Sequence, residues 1–339
     1  MSSREPLAAI FGAAETSLSA AERGFFRDAD PLGFILFARN CAAPDQLRGL
    51  VAELRDSVGR EDAPVLIDQE GGRVARLRPP HWPAYPPARA IAALGGARAR
   101  AAAELGARLI ADDLGALGIT VDCMPVLDLP IAGADPVIGD RAYGAEPAAV
   151  AALGAAVCAG LLAGGVLPVI KHVPGHGRAV VDSHRALPVV TAPLAALAEH
   201  DFVPFQALAA MPWAMTAHIL YRDIDPANAA TLSPLLIGEV IRGTIGFDGL
   251  LVSDDLSMAA LPGTLGARAA RALSSGCDVV LHCNADPEEM SEIAAASSPL
   301  CAAARRRLDA GEARRRAAVS PFDRREAELR FAALMAGEG

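Results

Sequence analysis

Lys171-His172-Val173-Pro174-Gly175-His176-Gly177, followed by Asp182-Ser183-His184, gathers three histidines, a lysine and a carboxylate into one glycine-rich stretch. Asp182 and His184 are close enough for the carboxylate to fix the orientation and tautomer of the imidazole. Such a pair gives and takes a proton near neutral pH. Pro174, Gly175 and Gly177 suit a turn with unusual backbone angles, and His176 reads as a residue that shapes it. A metal cluster of His172, His176 and His184 is the competing use, opposed by the ammonium of Lys171 beside a cation.

Three further segments carry chemistry. Gly249-Leu250-Leu251-Val252-Ser253-Asp254-Asp255 reads as a buried strand that delivers Asp254 at its end, where a carboxylate can attack an electrophilic carbon. The bland reading is that Asp254 or Asp255 caps a following helix. Ile67-Asp68-Gln69-Glu70-Gly71-Gly72-Arg73-Val74-Ala75-Arg76 offers Asp68 to ligand hydroxyls, with Arg76 in support and glycines permitting close backbone approach. It matches neither nucleotide-binding fingerprint. In Val137-Ile138-Gly139-Asp140-Arg141, Arg141 either contacts substrate or pairs with Asp140.

These residues need a frame that presents strand ends together. Short apolar runs recur at Ala8–Gly12, Gly33–Phe37, Pro64–Asp68, Ile119–Cys123, Leu167–Lys171, Trp213–His218, Gly249–Ser253 and Asp278–His282. Helical patterns separate them, at Pro44–Val58, Ala97–Leu117, Pro147–Ala163, Pro193–Leu208, Ser233–Arg242, Leu265–Ser275 and Pro287–Ala304. A final packing helix is expected after Ser320. Strand alternating with helix implies parallel pairing, and eight units predict an α/β fold, a single (β/α)8 TIM barrel spanning 1–339 as one domain. An open doubly wound sheet is the structural alternative. Asp68, Lys171, His218 and Asp254 all fall at C-terminal strand ends, where barrel active sites are built.

Composition sets the outer limits. The 339 residues are 52% hydrophobic but only 4% aromatic, so the core must rest on small and aliphatic side chains. A net charge of -9 without a basic tail argues against nucleic acid as a partner. The basic run Arg305 to Arg316 reads as a solvated helix face. Six cysteines without paired spacing imply neither a disulfide framework nor a zinc knuckle and point to a reducing compartment. Met1 to Ala14 reads as a first strand behind Arg4 and Glu5 rather than a signal peptide. The uncharged run Ala148–Ile170 parses as helix, two-glycine turn and strand, not as a membrane span. A cytoplasmic monomer without cofactor or metal is expected.

Together, the segment from Lys171 to His184 and Ser253-Asp254-Asp255-Leu256-Ser257-Met258 resemble the single-domain bacterial β-N-acetylglucosaminidases of glycoside hydrolase family 3, the NagZ type. The likeness runs from Gly33-Phe34-Ile35-Leu36-Phe37 to Cys277-Asp278. Val173 departs from it, standing where an aromatic is frequent, as does the proline-rich stretch Pro79 to Pro87. The resemblance implies Asp254 as nucleophile, His184 as acid/base and Asp182 as its partner. It implies Asp68, Arg76, Arg141, Lys171 and His172 as binders of N-acetylglucosamine. The implied substrate is a muropeptide or another N-acetylglucosamine-containing glycan. Because imidazole carries no negative charge, phosphorolysis stands beside hydrolysis as an alternative outcome. A catalytically silent sugar-binding barrel is the reading from another class.

Overall fold

In the computed structural model, which describes residues 5–337, eight parallel strands close into a barrel. Met1 to Arg4, counted with the approach to the first strand, lie outside the described residues. The strands of the chain are β1 (Leu7–Gly12), β2 (Pro31–Leu36), β3 (Val65–Ile67), β4 (Val121–Asp122), β5 (Leu167–Val173), β6 (Val189–Val190), β7 (Trp213–Thr216), β8 (Leu220–Tyr221), β9 (Leu250–Asp255) and β10 (Val279–His282). The barrel runs β1-β2-β3-β4-β5-β7-β9-β10 and closes by parallel pairing of β10 with β1, Ala9 opposite Val280. All eight expected strands are present; β6 and β8 form a separate two-stranded sheet above them.

Side chains alternate across the strands, with a break of parity in β2 between Leu32 and Phe34, so one row fills the barrel and the other meets the helices. Ala8, Ile10, Leu32, Ile35, Leu66, Val121, Val169, Trp213, Met215, Val252 and Leu281 form the inner core. Ala9, Phe11, Phe34, Leu36, Val65, Ile67, Ile170, Ala214, Leu251 and Val280 belong to the outer one. Extending the inner row by one step of two residues moves from Leu66 to Asp68, from Val169 to Lys171 and from Val252 to Asp254. The period of the strands therefore aims these three polar groups into the barrel mouth.

Helices Pro44–Val58, Pro147–Ala163 and Leu265–Ser275 match the sequence pattern residue for residue. Two expected helices are divided. Pro193–Leu208 becomes Leu194–Glu199 and Val203–Ala207, because Pro204 lacks an N–H to continue the ladder and instead opens the second piece. Pro287–Ala304 ends at Ala296 ahead of Pro299, and a separate helix runs Ala302–Ala318. Ser233–Arg242 is shifted to Leu236–Thr244 and wound as a π-helix. Helix Ala20–Ala29 has no counterpart among the sequence patterns, although Ser19 and Glu22 form a capping box at its start.

The basic run on Ala302–Ala318 is less a solvated face than a docking face. Arg307 pairs with Asp248 and Asp278, Arg315 bonds the Gly165 carbonyl, and Arg305 reaches Glu5. Arg306 and Arg316 alone of that run keep outward positions. Helices Gly96–Gly115 and Pro147–Ala163 make the densest helix contact, where a Cβ on Gly160 would overlap the Glu104 carbonyl and one on Gly164 would overlap Ala111. Gly164-Gly165 then turns the chain into β5, as expected for the uncharged run. Among the described residues no helix is long and apolar enough to cross a membrane. The six cysteines are unpaired, with Cys123, Cys158 and Cys277 buried.

Candidate active site

Asp68, Arg76, Arg141, Lys171, His172, Asp182, His184 and Asp254 all line one cavity of ≈340 Å³ at the C-terminal ends of the barrel strands. Phe37, Met215, Met258 and Cys283 supply much of its apolar wall. A larger hollow of ≈460 Å³ lies at the opposite end, against Pro212 and Gly249, which immediately precede β7 and β9. Its arginines are taken up by protein groups, Arg307 by Asp248 and Asp278 and Arg314 by the Ala210 carbonyl, and it contains no acid/base pair.

On one wall five charged groups interlock. Lys171 Nζ lies 2.8 Å from Asp68 Oδ1 and 2.7 Å from Glu70 Oε1. Arg76 donates to Asp68 Oδ2 at 3.0 Å, and Arg141 grips both oxygens of Glu70 at 2.7 and 2.8 Å. Burial alone would raise both carboxyls. Lys171 and Arg76 outweigh it at Asp68, holding that group well below its ordinary value. Lys171 and Arg141 bring Glu70 down to about 2. Burial would strip Lys171 of its proton, yet Asp68 and Glu70 hold the ammonium charged.

One open alternative and one expectation about this wall are decided by their neighbours. Arg141 does not pair with Asp140, which takes Arg73 instead at 2.9 Å. The backbone approach allowed by Gly71 and Gly72 is to the chain's own Pro86 and Pro87, not to a ligand: both glycines have positive φ, and the Gly72 N–H donates to the Tyr85 carbonyl.

Asp254 sits within β9 at the floor. The Asp255 N–H donates to its Oδ1 at 2.8 Å, and Oδ2 has no hydrogen-bond partner among the described residues. Burial raises its pKa, but the nearby imidazoles of His172 and His218, the Asp255 amide and Lys171 together lower it below the ordinary value. The carboxylate is thus ionised with one oxygen uncommitted, the state a nucleophile needs. Asp255 caps no helix, since the next one begins at Leu265 behind Thr264. It ties the turn instead, accepting from Ser257 and from the Cys283 amide. His218 is buried, with Nδ1 2.7 Å from Thr231 Oγ1 and Nε2 3.0 Å from the Asp255 carbonyl.

The three histidines of the β5 loop have separate partners. His172 Nδ1 lies 2.7 Å from Asp128 Oδ2. His176 Nε2 lies 3.1 Å from Ser183 Oγ. His184 Nδ1 lies 2.8 Å from Asp182 Oδ1, which also accepts the His184 N–H. Among the described residues no three His, Cys, Asp or Glu side chains are arranged to hold a metal ion. Slight burial works against ionisation of Asp182, but the two bonds from His184 lower its pKa. The His184 side chain is 66% exposed, so its free Nε2 is open to the cavity mouth. Of the loop glycines, Gly175 takes a positive φ of 140°, whereas Gly177 is required by space, because a Cβ there would overlap the Leu129 carbonyl.

Glu70 and Asp128 were given no role from sequence. Glu70 lies two residues beyond Asp68 and so shares its inward parity. Asp128 is the lone carboxylate in the apolar run Val126-Leu127-Asp128-Leu129, and a charge in such a run must be paired if buried. It is fully buried and accepts from His172 and His176.

The sequence profile of the glycosyl hydrolase family 3 N-terminal domain matches residues 15–314. A β-hexosaminidase of Methylococcus capsulatus is 41% identical over 280 residues, covering 81% of this chain and 82% of that protein. One from Alkalilimnicola ehrlichii is 42% identical over 281 residues, 81% of this chain and 80% of the other. Among solved structures, NagZ from Neisseria gonorrhoeae in complex with N-trifluoroacetyl-D-glucosamine superimposes with a TM-score of 0.86 at 31% identity, covering 98% of this chain and 99% of that one. With barrel, cavity and sequence in agreement, the chain belongs to glycosyl hydrolase family 3 and is a glycoside hydrolase.

Proposed function

We propose that this glycoside hydrolase is a retaining exo-β-N-acetylglucosaminidase. Its substrate is a muropeptide carrying 1,6-anhydro-N-acetylmuramic acid, from which it removes N-acetylglucosamine during cell-wall recycling in the cytoplasm. It acts as a monomer, one catalytic domain spanning 1–339. The relatives named β-hexosaminidase and the Neisseria enzyme bound to an N-acylated glucosamine support the sugar. The observation that carries the chemistry is the meeting of an ionised Asp254 and the Asp182–His184 pair in one cavity. A volume of ≈340 Å³ lies at the lower end of ligand sites, which suits one terminal sugar rather than a bound chain.

Asp68, Arg76, Arg141, Lys171 and His172 hold the sugar. The ion pairs of the wall fix its charged groups before substrate arrives, so little reorganisation accompanies binding. In the first step Asp254 Oδ2 attacks the anomeric carbon while protonated His184 gives its Nε2 proton to the leaving oxygen. The glycosidic bond breaks and a glycosyl ester forms on Asp254. In the second step neutral His184 takes a proton from water, which attacks the same carbon and releases Asp254. Asp182 holds the ring and balances the imidazolium.

Trapping with a 5-fluoro N-acetylglucosaminide followed by peptide mapping tests this. The label is expected on the peptide containing Asp254, and label elsewhere overturns the assignment. Purified protein that binds N-acetylglucosamine but never cleaves its aryl β-glycoside would instead be the silent barrel.

A further inference from the structure

Ser183 lies between the two members of the acid/base pair yet behaves unlike either. It is 3% exposed, while His184 beside it is largely in solvent. Its carbonyl accepts the Ala260 N–H at 3.2 Å, and its hydroxyl meets His176 Nε2 at 3.1 Å. Val180, three residues earlier, is 61% exposed. Ser183 is therefore where the pair is fastened to the barrel.

His176, the other end of that bond, is held on three sides. Its N–H donates to Asp128 Oδ1 at 2.6 Å, the carboxylate that also takes the His172 N–H and ring. Its ring stands edge-on to that of His172, centroids 5.6 Å apart. Its Nδ1 is buried without a partner among the described residues. Burial also drives the imidazole down to about 4, so the ring is neutral at pH 7. A buried N–H left unpaired costs more than a lone pair, which places the proton on Nε2. Nε2–H then donates to Ser183 Oγ.

We propose that His176 and Ser183 are positioning residues, a latch that sets the Asp182–His184 pair over Asp254 and links it through Asp128 to His172. The proposal rests on the acid/base reading above. Neither residue touches the reacting atoms. Their effect is confined to steps that need a proton delivered or taken by His184. Displacement of a catalytic group by about 1 Å costs on the order of 100-fold.

The test compares kcat/KM on two leaving groups, phenyl and 2,4-dinitrophenyl β-N-acetylglucosaminide. Only the first needs a proton to depart. Ser183→Ala is expected to lower kcat/KM for the phenyl glycoside about 10–100-fold and to leave the dinitrophenyl glycoside within about twofold. Ser183→Thr keeps the hydroxyl and is expected to restore most of the phenyl activity. The latch is overturned if Ser183→Ala depresses both substrates equally, or neither. His184→Ala serves as reference. If it too shows no leaving-group dependence, the acid/base reading falls. If it shows that dependence and Ser183→Ala does not, only the latch falls. Thermal melting of Ser183→Ala confirms that a folded protein is being assayed.

Discussion

Replacing Glu70 by Gln probes the charged wall of the site at the point where two cations share one carboxylate. Lys171 is 2% exposed and Glu70 7%, so water cannot take over the lost interaction. In the variant an amide oxygen at the Oε1 position still accepts from Lys171 and from one Arg141 nitrogen, but the amide nitrogen then faces the Arg141 Nε–H, donor against donor. Two carboxylates opposing three cations become one. Depression of the Glu70 carboxyl from 4.5 to about 2 corresponds, at 1.36 kcal/mol per pH unit, to about 3 kcal/mol of stability. Breaking a buried ion pair gives a similar ~3–5 kcal/mol. Urea unfolding at pH 7 should therefore show Glu70→Gln less stable by about 3 kcal/mol. The folded pKa is the lower one, so the wild-type advantage is complete above the unfolded value and disappears as pH falls through about 2. Repeating the measurement at pH 4 and pH 3 should show the difference shrinking. A loss below about 1 kcal/mol at pH 7, or a difference that grows with acid, would refute the reasoning.

Asp122 responds to pH in the opposite sense. Burial raises its carboxyl to about 8 against the opposing Gln69 N–H, so the folded state holds a proton the unfolded chain has lost, and stability declines from about pH 4 to about 8. Asp122→Asn keeps an acceptor for Gln69 and should flatten the thermal midpoint across that range; an unchanged slope counts against a buried neutral acid. Gly177→Ala forces a methyl into the Leu129 carbonyl and should cost about 2 kcal/mol or more in urea together with most of the activity, whereas an unperturbed variant would mean the loop yields freely. Asp182→Asn retains a hydrogen bond to His184 but not the charge, and kcat on a phenyl glycoside should fall about 100-fold; a drop under about threefold would remove Asp182 from the mechanism. Dialysis against a chelator should leave activity intact, and a loss restored by zinc would revive the three-histidine metal reading.

The barrel was legible because a strand of alternating rows advertises its inward face, and three inward rows end in a polar group that lines the cavity: Asp68 after Leu66, Lys171 after Val169, Asp254 after Val252. What escaped depends on distance along the chain. Arg141 meets Glu70 across 71 residues and His172 meets Asp128 across 44, and no local pattern encodes such pairings. Local chemistry therefore leaves Arg141 between substrate and Asp140, with only the family resemblance favouring substrate, and gives Glu70 no role. The reading of Gly71-Gly72 failed for a related reason: a glycine pair announces close approach but not what approaches, here Pro86 and Pro87. Helix boundaries slipped at Pro204 and Pro299, where one missing N–H outweighed a continuing apolar pattern. Helix Ala20–Ala29 went unread because its face is narrow, with Phe26 its only buried apolar side chain.

The contact between helices Gly96–Gly115 and Pro147–Ala163 bears on how this sequence can drift. In most cores the sensitive positions are large residues whose truncation opens a void. This helix pair buries such residues, Leu109, Ile110, Val157 and Leu161 among them, but it also holds two positions of another kind: a Cβ on Gly160 would meet the Glu104 carbonyl and one on Gly164 the Ala111 methyl. At those two positions the vulnerability is inverted: enlargement, not truncation, breaks the seam. Neutral change is thus expected to accumulate at the exposed faces of both helices, while Gly160 and Gly164 are closed even to a single added methyl.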